Sequence, residues 1–333
     1  MVRHRHRTVV VTGASSGIGR ACALRFARPD TALVLVSRDP AGLETLAAVC
    51  HDRGGQVLVA PADVSDAAAV EDVARRAVAR FGRIDVWVNN AGVNLYGWVE
   101  ECPDELWRRV VQVNLFGTYH GVRAVLPWFR EQGHGVLINV SALLGHAGTP
   151  QQSAYAASKH GIRALSESVR QEVRDVDGIS VCTILPGPVD TPLFRHAANW
   201  TGRRAVAPRH RVEADRVAKA VLRCARRPRP ELPVSGATWP GALVTRLVPG
   251  LVTRFGAAAV ERPVLADEPA DWTAGNLFES AASTAGVPDG RRGERVTDRR
   301  RSGLARTATG LVIAGGGLAG AAAVWAGNRG GRA

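Results

Sequence analysis

From Thr8 to about Leu185 the sequence alternates short β-branched runs with longer stretches whose apolar residues recur every three or four positions, and that rhythm admits few folds. The runs are Thr8–Thr12, Ala32–Val36, Gln56–Ala60, Ile84–Asn89, Gly135–Val140 and Ile179–Leu185. Several are apolar on consecutive positions, as strands buried on both faces must be. The stretches between them, Gly17–Ala27, Leu43–Arg53, Ala67–Phe81, Pro103–Glu131 and Ser153–Val176, predict helices. Each strand–helix–strand step closes by a right-handed crossover. The pattern therefore predicts an α/β fold, a doubly wound parallel sheet of Rossmann type, forming a single catalytic domain with a C-terminal extension.

After Pro186 the rhythm changes. A segment rich in Pro, Gly, Arg and Trp runs to about Pro208 and reads as a lid, followed by a helix over Glu213–Arg226. Pro228, Pro230 and Pro233 break that helix ahead of a last strand at Leu232–Ser235, and an apolar helix is expected from Gly241 to about Val260. The expected organisation is a basic N-terminal arm over 1–7, the catalytic domain over 8–260, a flexible linker over 261–306 and a Gly/Ala-rich tail over 307–333. The linker is expected because few large apolar residues interrupt its charged and small ones. Residues 308–327 carry no charge and are long enough to span a bilayer. Their six glycines, each costing about 1 kcal/mol of helix propensity, leave a membrane anchor, an interfacial arm and a solvated tail all open.

The formal net charge of +13 would suggest nucleic acid if it covered a folded face. Much of it lies instead in the tail, where nine arginines face three acids from Gly286 onward, and aromatic interleaving is absent, so no nucleic-acid partner is expected. The five cysteines lie far apart with no metal-ligand or redox spacing, and no apolar leader precedes the first strand. These features read as a cytoplasmic protein with reduced thiols and no metal.

The first strand runs directly into Thr12-Gly13-Ala14-Ser15-Ser16-Gly17-Ile18-Gly19 and then a helix. Backbone N–H groups and the helix dipole favour a pyrophosphate there. Gly13 permits the tight turn, Gly17 lets backbone approach the phosphates, and Gly19 lets the helix pack on the strand. This Gly-x-x-x-Gly-x-Gly spacing resembles the short-chain dehydrogenase/reductase family. Asn89-Asn90-Ala91-Gly92 is similar to that family's Asn-Asn-Ala-Gly motif, and Pro186-Gly187 to its Pro-Gly turn. The matches cover Thr8 to roughly Arg226. The resemblance implies that Asp63 and Val64 contact the adenine, that Asn90, Ala91 and Gly92 line the cofactor, and that Pro186, Gly187, Val189 and Thr191 flank the nicotinamide. It also implies a homo-oligomer, dimer or tetramer.

An acid at the end of the second strand would pair with the adenosine ribose and repel a 2′-phosphate. Ser37 stands there instead, followed by Arg38, whose guanidinium suits a phosphate. NADP(H) is the expected cofactor, with NAD(H) as the alternative if Arg38 is a surface residue paired with Asp39.

Tyr155 and Lys159 lie four residues apart, on one face of a helix. A neighbouring cation favours a phenolate, so the pair can move a proton. Ser141 leaves the fifth strand fourteen residues upstream, and Asn114 lies in the preceding helix. The resemblance implies that Ser141 polarises the substrate oxygen, Tyr155 is the acid or base, Lys159 tunes it and also holds the ribose, and Asn114 anchors a water relay. The implied reaction is hydride transfer between nicotinamide and a carbonyl or secondary alcohol. Val93, Leu95, Tyr96, Leu143, Leu144, Leu193, Phe194 and Trp200, with His146 and His196 as polar contacts, suggest a hydrophobic small molecule. The rival reading is a catalytically silent cofactor-binding regulatory or scaffold protein of the same fold.

Overall fold

A computed structural model of the chain describes residues 7–145, 148–206, 211–234 and 265–280. They belong to a compact unit spanning 1–288. The expected helix at 241–260, the tail at 307–333, Ser235, His146 and the Leu144 side chain lie outside the described residues.

Seven strands form one parallel sheet: β1 (Arg7–Thr12), β2 (Thr31–Ser37), β3 (Gln56–Pro61), β4 (Val86–Asn89), β6 (Gly135–Val140), β7 (Ile179–Pro186) and β12 (Glu231–Val234). Their order is β12-β7-β6-β4-β1-β2-β3. The remaining strands are short: β5 (Leu95–Tyr96) pairs with β9 (Ala198–Asn199), β8 (Val189–Asp190) with β11 (Val212–Glu213), and β10 (Arg203–Ala205) with β13 (Leu265–Pro269). The helices are α1 (Gly17–Phe26), α2 (Pro40–Asp52), α3 (Ala67–Phe81), α4 (Asp104–Val111), α5 (Gly117–Gln132), α6 (Ser153–Glu172) and α7 (Ala214–Arg226). Along β1 the side chains alternate between two cores, as a pleated strand requires. Val10 packs in a cluster with Trp87, Val73 and Phe129, while Val9 and Val11 pack with Cys22, Phe26, Leu46 and Val221. Both faces of the sheet are thus covered, which is why its strands read as unbroken apolar runs.

Three local departures from the sequence expectation have physical causes. First, α2 begins at Pro40, not Leu43, because Asp39 caps it by accepting from the Gly42 N–H at 3.0 Å with Pro40 in the first turn. Secondly, the single helix expected over Pro103–Glu131 is interrupted by a π-helical turn at Gln112–Phe116, which separates α4 from α5 and contains Asn114. Such turns recur at functional sites. Thirdly, part of the stretch expected as a linker is folded. β13 pairs antiparallel with β10, Asn199 bridges to Thr273, Trp200 and Trp272 stack with ring centroids 5.0 Å apart, and Leu277 is fully buried. No described helix is long and apolar enough to cross a membrane.

Candidate active site

The strand order reverses between β1 and β4, and a cleft of about 620 Å³ opens at the carboxyl ends of the strands around that point. The glycine turn forms its floor. Gly13 and Gly17 have φ of +66° and +51°, and a Cβ on Gly13 would lie 2.8 Å from the Ala91 Cα. A Cβ on Gly19 would lie 2.1 Å from the Gly13 carbonyl oxygen, so no side chain fits between turn and helix. Ser16 occupies the cap position of α1 yet its side chain caps nothing, which leaves the first-turn N–H groups facing the cleft beside Ser15, Ser16, Gly17 and Ile18. These residues fit a pyrophosphate.

The turn is held from below by β4. Thr12 Oγ1 accepts from the N–H groups of Asn90 (3.0 Å) and Ala91 (3.1 Å), while Asn90 Nδ2 donates to the Thr12 carbonyl (3.0 Å). Pro186, Gly187, Val189 and Thr191 line the opposite wall, and a Cβ on Gly17 would meet Thr191 Cγ2 at 3.1 Å. Of the residues expected to hold the cofactor, only Gly19 does not line the cleft, since it packs beneath the turn.

Ser141, Tyr155 and Lys159 also line the cleft. Lys159 is buried; its Nζ donates to the Val140 carbonyl (3.0 Å) and sits 5.5 Å from the Tyr155 ring centroid. Burial dominates both groups, pushing the Tyr155 phenol up to about 12 and the Lys159 ammonium down to about 8. The protein's own groups therefore keep the phenol protonated at neutral pH, whereas the lysine spacing alone suggested a lowered value. Ser141 Oγ donates to the Lys159 carbonyl (2.8 Å), so it must rotate away before it can donate to a substrate oxygen.

Asn114 does not face the cleft. It is fully buried, with Oδ1 accepting from the Val93 N–H (2.8 Å) and Nδ2 donating to the Val93 carbonyl (3.0 Å) and Ser158 Oγ (3.1 Å). Ser158 in turn donates to the Tyr155 carbonyl (2.7 Å). Asn114 thus couples the loop after β4 to the helix turn carrying the phenol.

At the other end, Ser37 and Arg38 line the cleft together with Asp63 and Val64. Arg38 is not paired with Asp39, which is occupied as a helix cap. Its Nη1 donates to the carbonyls of Leu277 (2.9 Å) and Phe278 (3.0 Å), and its Nη2 to that of Asn276 (2.6 Å). Nε donates to none of the described residues. Arg109 was not singled out in the sequence. It donates to Asp63 Oδ2 (2.5 Å), Ser65 Oγ (2.7 Å) and the Leu277 carbonyl (2.9 Å), and stacks under Phe278. Asn276 and Ser280 complete this end of the cleft.

Around Tyr155 the walls combine Val93, Tyr96, Leu143, Leu193 and Phe194 with polar Asn94, Thr149, Gln152 and His196. Leu95 and Trp200 pack in or against the core instead. Asn94 was missed by sequence reading, and its buried Oδ1 has no hydrogen-bond partner. Among the described residues no group of three or more His, Cys, Asp and Glu side chains could hold a metal ion.

Comparison with known proteins agrees with this geometry. A family model described as short chain dehydrogenase matches residues 7–202. D-beta-hydroxybutyrate dehydrogenase of Rhizobium meliloti is 36% identical over 198 residues, covering 56% of this chain and 73% of that protein. An alcohol dehydrogenase from the archaeon Thermococcus sibiricus, solved with 5-hydroxy-NADP, is 28% identical at a TM-score of 0.60, covering 70% of this chain and 97% of that one. A short-chain dehydrogenase/reductase from Burkholderia phymatum, solved with NAD, is 25% identical at a TM-score of 0.66, covering 82% and 99%.

Proposed function

The chain belongs to the short-chain dehydrogenase/reductase family of nicotinamide-dependent oxidoreductases, and on that premise we propose that it interconverts a carbonyl and a secondary alcohol on a largely hydrophobic small molecule, with NADP(H) as the preferred cofactor. The observation that carries this reading is the shared cleft, in which Ser141, Tyr155 and Lys159 stand beside the glycine turn. A bound nicotinamide supplies or accepts the hydride at the reacting carbon. In reduction, Tyr155 delivers its phenolic proton to the carbonyl oxygen, and in oxidation it takes that proton back. Ser141, once rotated off the Lys159 carbonyl, donates to the same oxygen and orients it. Lys159 holds the ribose hydroxyls and, while protonated, places a positive charge next to the Tyr155 ring. Asn114 acts through Ser158 and Val93 by fixing the spacing of these groups. Asp63 and Val64 border the adenine.

Activity is tested by following NADPH and NADH oxidation over a panel of ketones and aldehydes. Because the phenol carries its proton at neutral pH, reduction should be level through neutrality and fall only as the phenol titrates. Oxidation needs the phenolate, so its kcat/KM should climb with pH across the same range. Lys159→Met removes the ribose contact together with the charge carried below about 8, and should weaken binding of both nucleotides and slow reduction. An oxidation rate that falls as pH rises through neutrality would contradict Tyr155 as the base.

The cofactor preference rests on the absence of an acid at Ser37 and on the cation at Arg38, with Arg109 behind it. Arg38→Leu is expected to weaken NADPH binding about tenfold and NADH binding by much less, the difference of roughly 1.4 kcal/mol being one charge-assisted contact. Fluorescence titration with both nucleotides measures it, and an equal loss for both would make Arg38 structural.

A further inference from the structure

Helix α6 carries Tyr155 and Lys159, and Gln152 occupies its N-cap position. Short side chains cap helices well, and this longer one caps nothing here. The neighbouring Ser153 is committed elsewhere, its Oγ accepting from Trp107 Nε1 (3.0 Å). Gln152 is only 6% exposed, and it lines the cleft. Its amide makes no hydrogen bond with any described residue, yet it is not sealed among protein atoms as the Asn94 and Asn276 amide oxygens are; it opens on the cleft. A polar group so nearly buried is costly unless something in the cleft pairs with it.

The residue before it holds Gln152 in this pose. Gln151 has a φ of +63°, and among the described residues it is the only non-glycine in the left-handed region. There its carbonyl accepts from the Gly97 N–H (2.8 Å), while the Gln152 N–H donates to the Thr149 carbonyl (3.3 Å). Backbone kept in so sparsely populated a region is over-determined by its surroundings, and such residues cluster at binding sites. The turn is thereby tied to the end of β5, whose Tyr96 lines the same cleft.

Gln152 and Tyr155 are three residues apart, a spacing that makes helix residues neighbours, with about 5 to 6 Å between Cβ atoms. A molecule whose carbonyl oxygen meets the Tyr155 hydroxyl therefore brings an atom only a few bonds away to the Gln152 amide. Among the described cleft residues Lys159 is the only lysine or arginine at that end, and its Nζ is engaged by the Val140 carbonyl. A carboxylate beside Gln152 would be buried without a cation of its own, whereas an uncharged oxygen carries no such penalty. Val93, Leu193 and Phe194 supply apolar walls around it.

We infer that Gln152 is a specificity-determining residue whose Nε2 donates to an uncharged oxygen β to the reacting carbonyl. The substrate class is then a β-oxygenated ketone, such as a β-keto ester, rather than a plain ketone or a keto acid. This deepens, and rests on, the reading that Tyr155 protonates a carbonyl in this cleft.

The test follows NADPH oxidation by the full-length protein with three probes: ethyl butyrylacetate, its plain-ketone counterpart propyl pentyl ketone, and the free acid butyrylacetate. Wild type should favour the ester over both others in kcat/KM. Gln152→Leu should lower the ratio of ester to plain ketone about tenfold, one hydrogen bond's worth, through a rise in KM for the ester. Should the leucine variant fail to fold, Gln152→Glu keeps the shape, replaces the donor with an acceptor, and should lower the ratio at least as far. A ratio that survives either folded variant, or a wild type that prefers the acid, overturns the proposal. If wild type binds NADPH and reduces none of the three, the carbonyl reading fails with it, whereas equal reduction of ester and plain ketone overturns the Gln152 role alone.

Discussion

Tyr155→Phe is expected to abolish turnover in both directions while NADPH affinity stays within about twofold of wild type. The substitution keeps the ring, which packs against the main core cluster, and deletes only the hydroxyl that faces the cleft. Positioned proton transfer contributes about 10²- to 10⁴-fold to a rate, and neither neighbouring hydroxyl stands ready to replace it. Ser141 sends its proton to the Lys159 carbonyl, and the nearby Tyr96 phenol is pushed well above its ordinary range by burial and by the neighbouring Tyr155. Steady-state rates together with a nucleotide titration on the same preparation separate the two effects. Residual activity above about one hundredth of wild type would require another proton donor. A wild-type protein that binds NADPH but turns over no ketone or aldehyde would instead favour the cofactor-binding scaffold.

The sheet and the glycine turn were legible in the sequence because their signals are local. Consecutive apolar residues mark the buried strands, and Gly13 and Gly17 stand where backbone with positive φ must pass. Proton affinities were less legible. A spacing of four residues places Lys159 beside Tyr155, but it says nothing of burial, and burial is the largest influence on both groups. Asn114 was read as part of one long helix because a π-helical turn leaves the apolar periodicity nearly intact. The segment around Asn276 was missed for a different reason. Its composition is polar and small, and what orders it comes from afar, namely Arg38, 239 residues from Leu277, and Arg109, 168 residues from it. Backbone carbonyls accepting from distant arginines leave no trace in local composition. The one hint was the apolar pair Leu277-Phe278, set in a run of small and charged residues.

Two truncations are expected to behave very differently for the same reason. A chain ending at residue 290 keeps every described residue that lines the cleft and should retain NADPH affinity and turnover close to wild type. A chain ending at residue 264 loses β13, the Trp200–Trp272 stack and Leu277, and it strips Arg38 and Arg109 of their carbonyl partners. Losing a fully buried leucine alone costs about 2 to 5 kcal/mol, and partly buried guanidinium groups that lose some of their acceptors add to that. For a chain of this size the melting temperature should fall on the order of 5 to 10 °C or more. Nucleotide affinity should fall as well, because one wall of the adenosine end is gone. Thermal unfolding with and without NADPH reads both effects, since a ligand that still binds raises the melting temperature by mass action. Should the chain ending at 264 melt with the full-length protein and gain as much from NADPH, the folded segment would be a passive cover. Should the chain ending at 290 lose activity, residues beyond it would belong to the catalytic unit, and the boundary proposed for that unit would move toward the C-terminus.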